Sequence, residues 1–140
     1  MSVAASFAYT IQTQESLLDL MFVGPEAVCF TMGRGVAHTE QMLEILASVA
    51  PCHERPFTAL AQLVKEHVAT MSGCICIFVA WDMARQELVR QLRAIGIPLL
   101  VFVVTEAGAA ETLDPGPLRE DPECFHALEV GKIAEGLAKL

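Results

Sequence analysis

Two apolar runs of strand length, Cys74 to Trp81 and Ile97 to Thr105, stand on either side of a segment with helical amphipathic spacing, and no other feature of the sequence restricts the fold as much. A short continuous apolar run bounded by Gly73 and Asp82 reads as a strand covered on both faces, the environment of a parallel sheet. Between the runs, Ala84 to Ile95 sets Leu88, Val89 and Leu92 on one face and Arg85, Arg90 and Arg93 on the other, and Gly96 closes the helix. Strand, helix, strand over about 30 residues is a βαβ unit, for which a right-handed crossover is expected.

Upstream, Ser2 to Ser16 is rich in Ala, with Phe7 and Ile11 four apart, and predicts a short helix. Leu17 to Val23 and Ala27 to Met32 are strand-like runs separated by Gly24-Pro25, which predicts an antiparallel hairpin. From Thr39, a candidate cap, the residues Met42, Leu43, Ile45, Leu46 and Val49 fall at helical spacings until Pro51. Phe57, Leu60, Leu63, Val64 and Val68 draw a second amphipathic face that ends near Ser72-Gly73. Downstream, Glu106 to Glu123 has the Gly, Pro and acidic composition of a surface loop. His126 to Val130 predicts a last edge strand, and Lys132 to Leu140 a closing helix.

The 140 residues suit a single domain over 1–140, and 54% hydrophobic against 19% charged residues argues for a packed core rather than disorder. A formal net charge of -8 argues against a nucleic-acid partner, because phosphate backbones are held by Lys and Arg. The longest apolar stretch, Ile97 to Val104, is far shorter than the roughly 20 residues of a membrane helix. No direct membrane insertion by this chain and a cytoplasmic location are therefore expected. Five cysteines without a CxxC pair read as free thiols, with Cys29, Cys74 and Cys76 acting as small hydrophobes inside apolar runs.

In order, helix, hairpin, helix, helix, strand, helix, strand resembles the von Willebrand factor A fold without its first strand. Four stretches narrow the likeness: Ala4-Ala5-Ser6-Phe7, Leu18-Asp19-Leu20-Met21-Phe22-Val23-Gly24, Gly33-Arg34-Gly35 and Met42-Leu43-Glu44-Ile45-Leu46-Ala47. They resemble the carboxy-terminal portion of an uncharacterised bacterial family, domain of unknown function number fifty-eight. The resemblance implies an α/β fold of three layers, with a mostly parallel sheet, an antiparallel edge hairpin and no first strand. Members of that family are typically longer, carry amino-terminal membrane segments and often occur beside MoxR-type AAA+ ATPases, so the chain is expected to be a fragment or a shortened homologue. In complete A domains the first strand lies at the sheet centre. Without it, the strands corresponding to Leu17 to Val23 and Cys74 to Trp81 must pair directly or borrow pairing from a second copy, and a homodimer is expected.

Metal-binding A domains carry Asp-x-Ser-x-Ser on the first strand, a Thr from a later loop and an Asp after the fourth strand. Asp-x-Ser-x-Ser is absent here; the resemblance leaves Asp82 and Thr39, the latter in the loop after Gly35, as weak metal candidates. No cofactor is expected, and Mg²⁺ only if missing residues supply a complete site. Asp82 has a second reading as the cap of the following helix. Gly33-x-Gly35 lacks a P-loop lysine and reads as a turn, with Arg34 suited to a bidentate grip on a carboxylate. Cys52-His53, His38 and His67 lack zinc-finger spacing, and no nucleophile turn supports acyl transfer. Trp81 is either a strand-end anchor or a binding aromatic.

The expected function is a non-enzymatic protein-interaction module acting with an AAA+ ATPase or in a membrane-associated assembly, with Arg34, Thr39 and Asp82 as partner-binding residues. The alternative is a small-molecule or nucleotide-binding α/β domain, or an enzyme, that uses the strand ends near Gly35 and Asp82.

Overall fold

The computed structural model describes residues 2–11, 17–32, 36–50 and 52–138. They group into two compact units, Met1–Ala69 and Thr70–Leu140.

The first unit holds helix α1 (Ser2–Ile11), strands β1 (Leu18–Val23) and β2 (Ala27–Met32), and helices α2 (Val36–Ser48) and α3 (Phe57–His67). β1 and β2 pair antiparallel from Leu18 opposite Met32 to Val23 opposite Ala27, so Gly24-Pro25-Glu26 makes the turn. Alternation along the strands sends Leu18, Leu20 and Phe30 to one face. There they pack with Ala4 and Ala5 against a core of Ala8, Met42 and Leu46 drawn from α1 and α2. α3 lies against both strands of the hairpin.

Thr39 departs from its expected place. α2 begins three residues earlier, at Val36, so Thr39 is neither a cap nor a loop residue. With Met42 and Leu46 it falls at i, i+3 and i+7, the buried stripe of the helix, and it is only 7% exposed. The first predicted helix stops at Ile11, and the rest of its span to Ser16 lies outside the described residues.

The second unit carries the βαβ unit as expected: β3 (Cys74–Phe78), α4 (Met83–Ala94) and β4 (Leu99–Thr105), followed by β5 (Phe125–Glu129) and α5 (Ile133–Leu137). The three strands are parallel in the order β3-β4-β5, with Cys76 beside Val101 and Val101 beside Phe125. Phe78, Val101 and Val103 are buried on one sheet face, Phe102 and Leu128 on the other. α4 ends in a Schellman motif: Gly96, at φ 81°, donates its N–H to the Arg93 carbonyl, and Ile97 donates to Leu92. That arrangement is why glycine stands at position 96.

β3 is shorter than the apolar run that encodes it. It stops at Phe78, and Val79 is 81% exposed. The stretch 106–124 is not a surface excursion. It is the crossover joining parallel neighbours β4 and β5, built from three single 3-10 turns, with Leu118 buried and the middle turn against α4. The Arg93 guanidinium holds it from α4, bonding the Pro117 carbonyl and the Asp121 carboxylate.

The α/β class stands, but the strands form two sheets rather than one. The six residues of each hairpin strand pair with each other, and β3 pairs with β4.

Candidate functional site

The ends of the parallel strands are held by side chains that cap, anchor and pair. Asp82 is the N-cap of α4: its Oδ1 accepts the Arg85 backbone N–H at 3.1 Å and its Oδ2 takes the Arg85 guanidinium. Both carboxylate oxygens are therefore engaged, and the aspartate serves the helix. This donor set does not fit the Mg²⁺ site that the A-domain likeness implies. Among the described residues no three or more His, Cys, Asp and Glu side chains could hold a metal ion together.

Next to the cap, Trp81 donates its indole N–H to the Asp114 carbonyl at 2.8 Å and packs against Phe78 and Phe125, with ring centroids 6.0 and 5.2 Å away. The indole thereby fixes the crossover to the sheet, a strand-end anchor. The Asp114 carboxylate accepts the Gly116 N–H at 2.9 Å and pairs with Arg119, which together hold it below the usual aspartate range. Glu129, at the end of β5, is lowered in the same way, first by the Gly108 N–H at 2.9 Å and then by Lys132.

Among the described residues no strand pairs with the outer edge of β5. Val130 N–H donates to the Thr105 carbonyl at 2.9 Å, which sets the phase of the strand: His126 and Leu128 turn their backbone groups toward β4, while Phe125, Ala127 and Glu129 turn theirs outward. The Glu129 carbonyl accepts Lys132 N–H, but the N–H and C=O of Ala127 have no hydrogen-bond partner among the described residues. Along this edge runs a groove of about 510 Å³, walled by Leu113 and Pro115 from the crossover, Pro122 and Phe125 from the entry to β5, and Leu128 and Gly136. Its polar side chains are Glu111 and His126. The His126 ring is committed elsewhere: it stacks on Phe102 at 5.3 Å, and Nε2 lies 3.0 Å from the Glu123 carbonyl. Glu111 makes no ion pair among the described residues and is the charged group of the groove.

Against known proteins, the chain matches no family model, no curated protein and no solved structure.

Of the residues singled out from sequence, Asp82 belongs to this second unit and Thr39 to the first, where it is buried. Arg34, with Gly33 and Gly35, lies outside the described residues. Ala127, Glu111, Phe125 and Leu128 were not among the candidates. The expected edge strand at His126 to Val130 was the signal available, since an edge strand presents unpaired backbone groups.

Proposed function

We propose that the chain is a non-enzymatic protein-interaction module that receives an extended segment of a partner along the outer edge of β5. The observation that carries this reading is that the N–H and C=O of Ala127 have no partner among the described residues and face an apolar groove at a strand edge. Main-chain hydrogen bonds from an added strand give affinity in such sites, and flanking pockets select alternate side chains. The walls favour apolar side chains, and Glu111 favours a Lys or Arg on the incoming segment. The same acid, within a chain of net charge -8, disfavours a nucleotide phosphate in the groove. It also disfavours a second copy laid edge to edge, which brings like charges together. The sequence likeness to a family found beside MoxR-type AAA+ ATPases suggests such an ATPase as the source of the segment.

The test is titration of isotopically labelled protein with an extended peptide of alternating Val and Lys, followed by amide NMR. Ala127 and its neighbours on β5 are expected to shift. Ala127→Pro deletes the outward N–H while leaving the bonds to β4, and is expected to abolish the shifts with the sheet intact. Equal binding by that variant, or shifts confined to other elements, overturns the reading, and light scattering that shows self-association through β5 assigns the edge to a second copy.

A further inference from the structure

Cys74 and Cys76 sit two residues apart on β3, so the pleat points both side chains to one face, and their sulfurs lie 3.6 Å apart. We propose that this pair is a dithiol site for trivalent arsenic or antimony, taking the ion as a bent, two-sulfur chelate. Cys76 is 7% exposed and Cys74 is half-buried, so the pair opens at one thiol and is backed by the other.

Geometry chooses among the fates open to two thiols. A strand rise of about 3.3 Å per residue sets their Cα atoms about 6.6 Å apart, near the upper limit for a disulfide, so direct oxidation requires β3 to bend. A chelate does not. With sulfur–ion bonds of about 2.3 Å, as in zinc thiolates, the observed gap closes at an S–ion–S angle of about 100°. A linear two-coordinate ion needs the sulfurs about 4.6 Å apart at that bond length. A tetrahedral zinc ion needs further protein ligands, and no group of three or more His, Cys, Asp and Glu exists among the described residues. A pyramidal trivalent metalloid matches the angle and asks for two protein sulfurs when it brings its third substituent with it. Thiolate sulfur is the soft donor that such ions prefer.

The thiols are also polarised against each other. The hydrogen bond between them lowers the Cys74 pKa from the ordinary thiol value, while the same bond and burial raise that of Cys76. Cys74, the more exposed of the two, is reached first, and Cys76 closes the ring. With a monosubstituted arsenous acid, R–As(OH)₂, two S–As bonds form and two As–O bonds break. Each thiol proton leaves with one hydroxide as water. Arsenic stays trivalent, so no oxidant or reductant takes part.

The probe is phenylarsine oxide on the full chain, which hydrates to that acid. Intact-mass measurement is expected to show one phenylarsenic unit per chain, retained in excess glutathione and stripped by ethanedithiol. On the unaltered protein, prior arsenical is expected to protect Cys74 and Cys76 together from iodoacetamide while Cys29, Cys52 and Cys124 are alkylated. The triple variant Cys29→Ala, Cys52→Ala, Cys124→Ala is expected to keep the glutathione-resistant adduct, and Cys74→Ala to lose it. Protection mapped to any other pair, or alkylation of Cys74 at an undiminished rate beneath the arsenical, overturns the proposal without relying on a folded variant.

Discussion

Arg93, on the last turn of α4, forms an ion pair with Asp121 of the crossover and also donates to the Pro117 carbonyl, so one guanidinium ties a helix to a connection 28 residues away in sequence. Both partners of the ion pair remain about a third exposed, which limits its Coulombic worth, but the carbonyl bond is charge-assisted. Arg93→Ala is expected to cost about 1–2 kcal/mol. Arg93→Lys should recover little, because an ammonium cannot reach two separated acceptors with the planar fork of a guanidinium. Urea unfolding of the two variants measures both, and equal stability of Lys and Arg at this position would exclude the two-point tie.

Asp82 makes a second expectation. Because its carboxylate caps α4, Asp82→Ala should destabilise the chain by about 1 kcal/mol, and Asp82→Asn, which still accepts the Arg85 N–H, by less. The loss should be the same with and without added Mg²⁺. Thermal melts in both conditions check this; a stabilisation by Mg²⁺ that vanishes in Asp82→Ala would return the residue to a metal site.

Acid should weaken the second unit through Glu129 and Asp114. Each has its folded pKa depressed, Glu129 chiefly by the Gly108 N–H and then Lys132, Asp114 chiefly by the Gly116 N–H and then Arg119. A carboxylate with a depressed folded pKa adds stability that is complete above its unfolded value and is lost as pH falls through the folded one. The ordinary values are 4.5 for Glu and 3.8 for Asp, so the loss belongs below that range. Glu129→Gln should flatten the slope of stability against pH there and leave its shape above about pH 6 unchanged. Denaturant midpoints across the acid range measure the slope, and an unchanged acid slope in Glu129→Gln contradicts the assignment.

The βαβ unit was readable because its signals are local. Apolar runs set β3 and β4, three-to-four spacing set α4, and Gly96 occupies the left-handed position that its motif demands. Thr39 was misread because its hydroxyl suits a cap, whereas α2 already starts at Val36, which sets Thr39 on the same buried stripe as Met42 and Leu46. The crossover hid its turns behind a loop composition, since a single 3-10 turn has too few residues to show a period. The candidate site divides along the same line. An edge strand was expected at His126 to Val130, but which backbone groups face outward follows from the Val130 bond to Thr105, a pairing no local pattern encodes.

Gly136 offers a test in which two effects of similar size oppose each other. It lies inside α5, where replacing Gly by Ala ordinarily stabilises a helix by about 1 kcal/mol. Here an added Cβ would stand 2.6 Å from Leu128 Cδ2, closer than carbon atoms can approach. Leu128 is 2% exposed, so its side chain has little room to turn away, and forcing a methyl into a filled core costs about 1–3 kcal/mol. Gly136→Ala should therefore destabilise despite its helix propensity. Leu128→Val removes the obstructing methyl, and in that background the same Gly136→Ala change should become stabilising. A double-mutant cycle by urea unfolding reads the reversal directly. If Gly136→Ala stabilises the unaltered protein, the contact of α5 with β5 is looser than described, and the Leu128 wall of the groove with it.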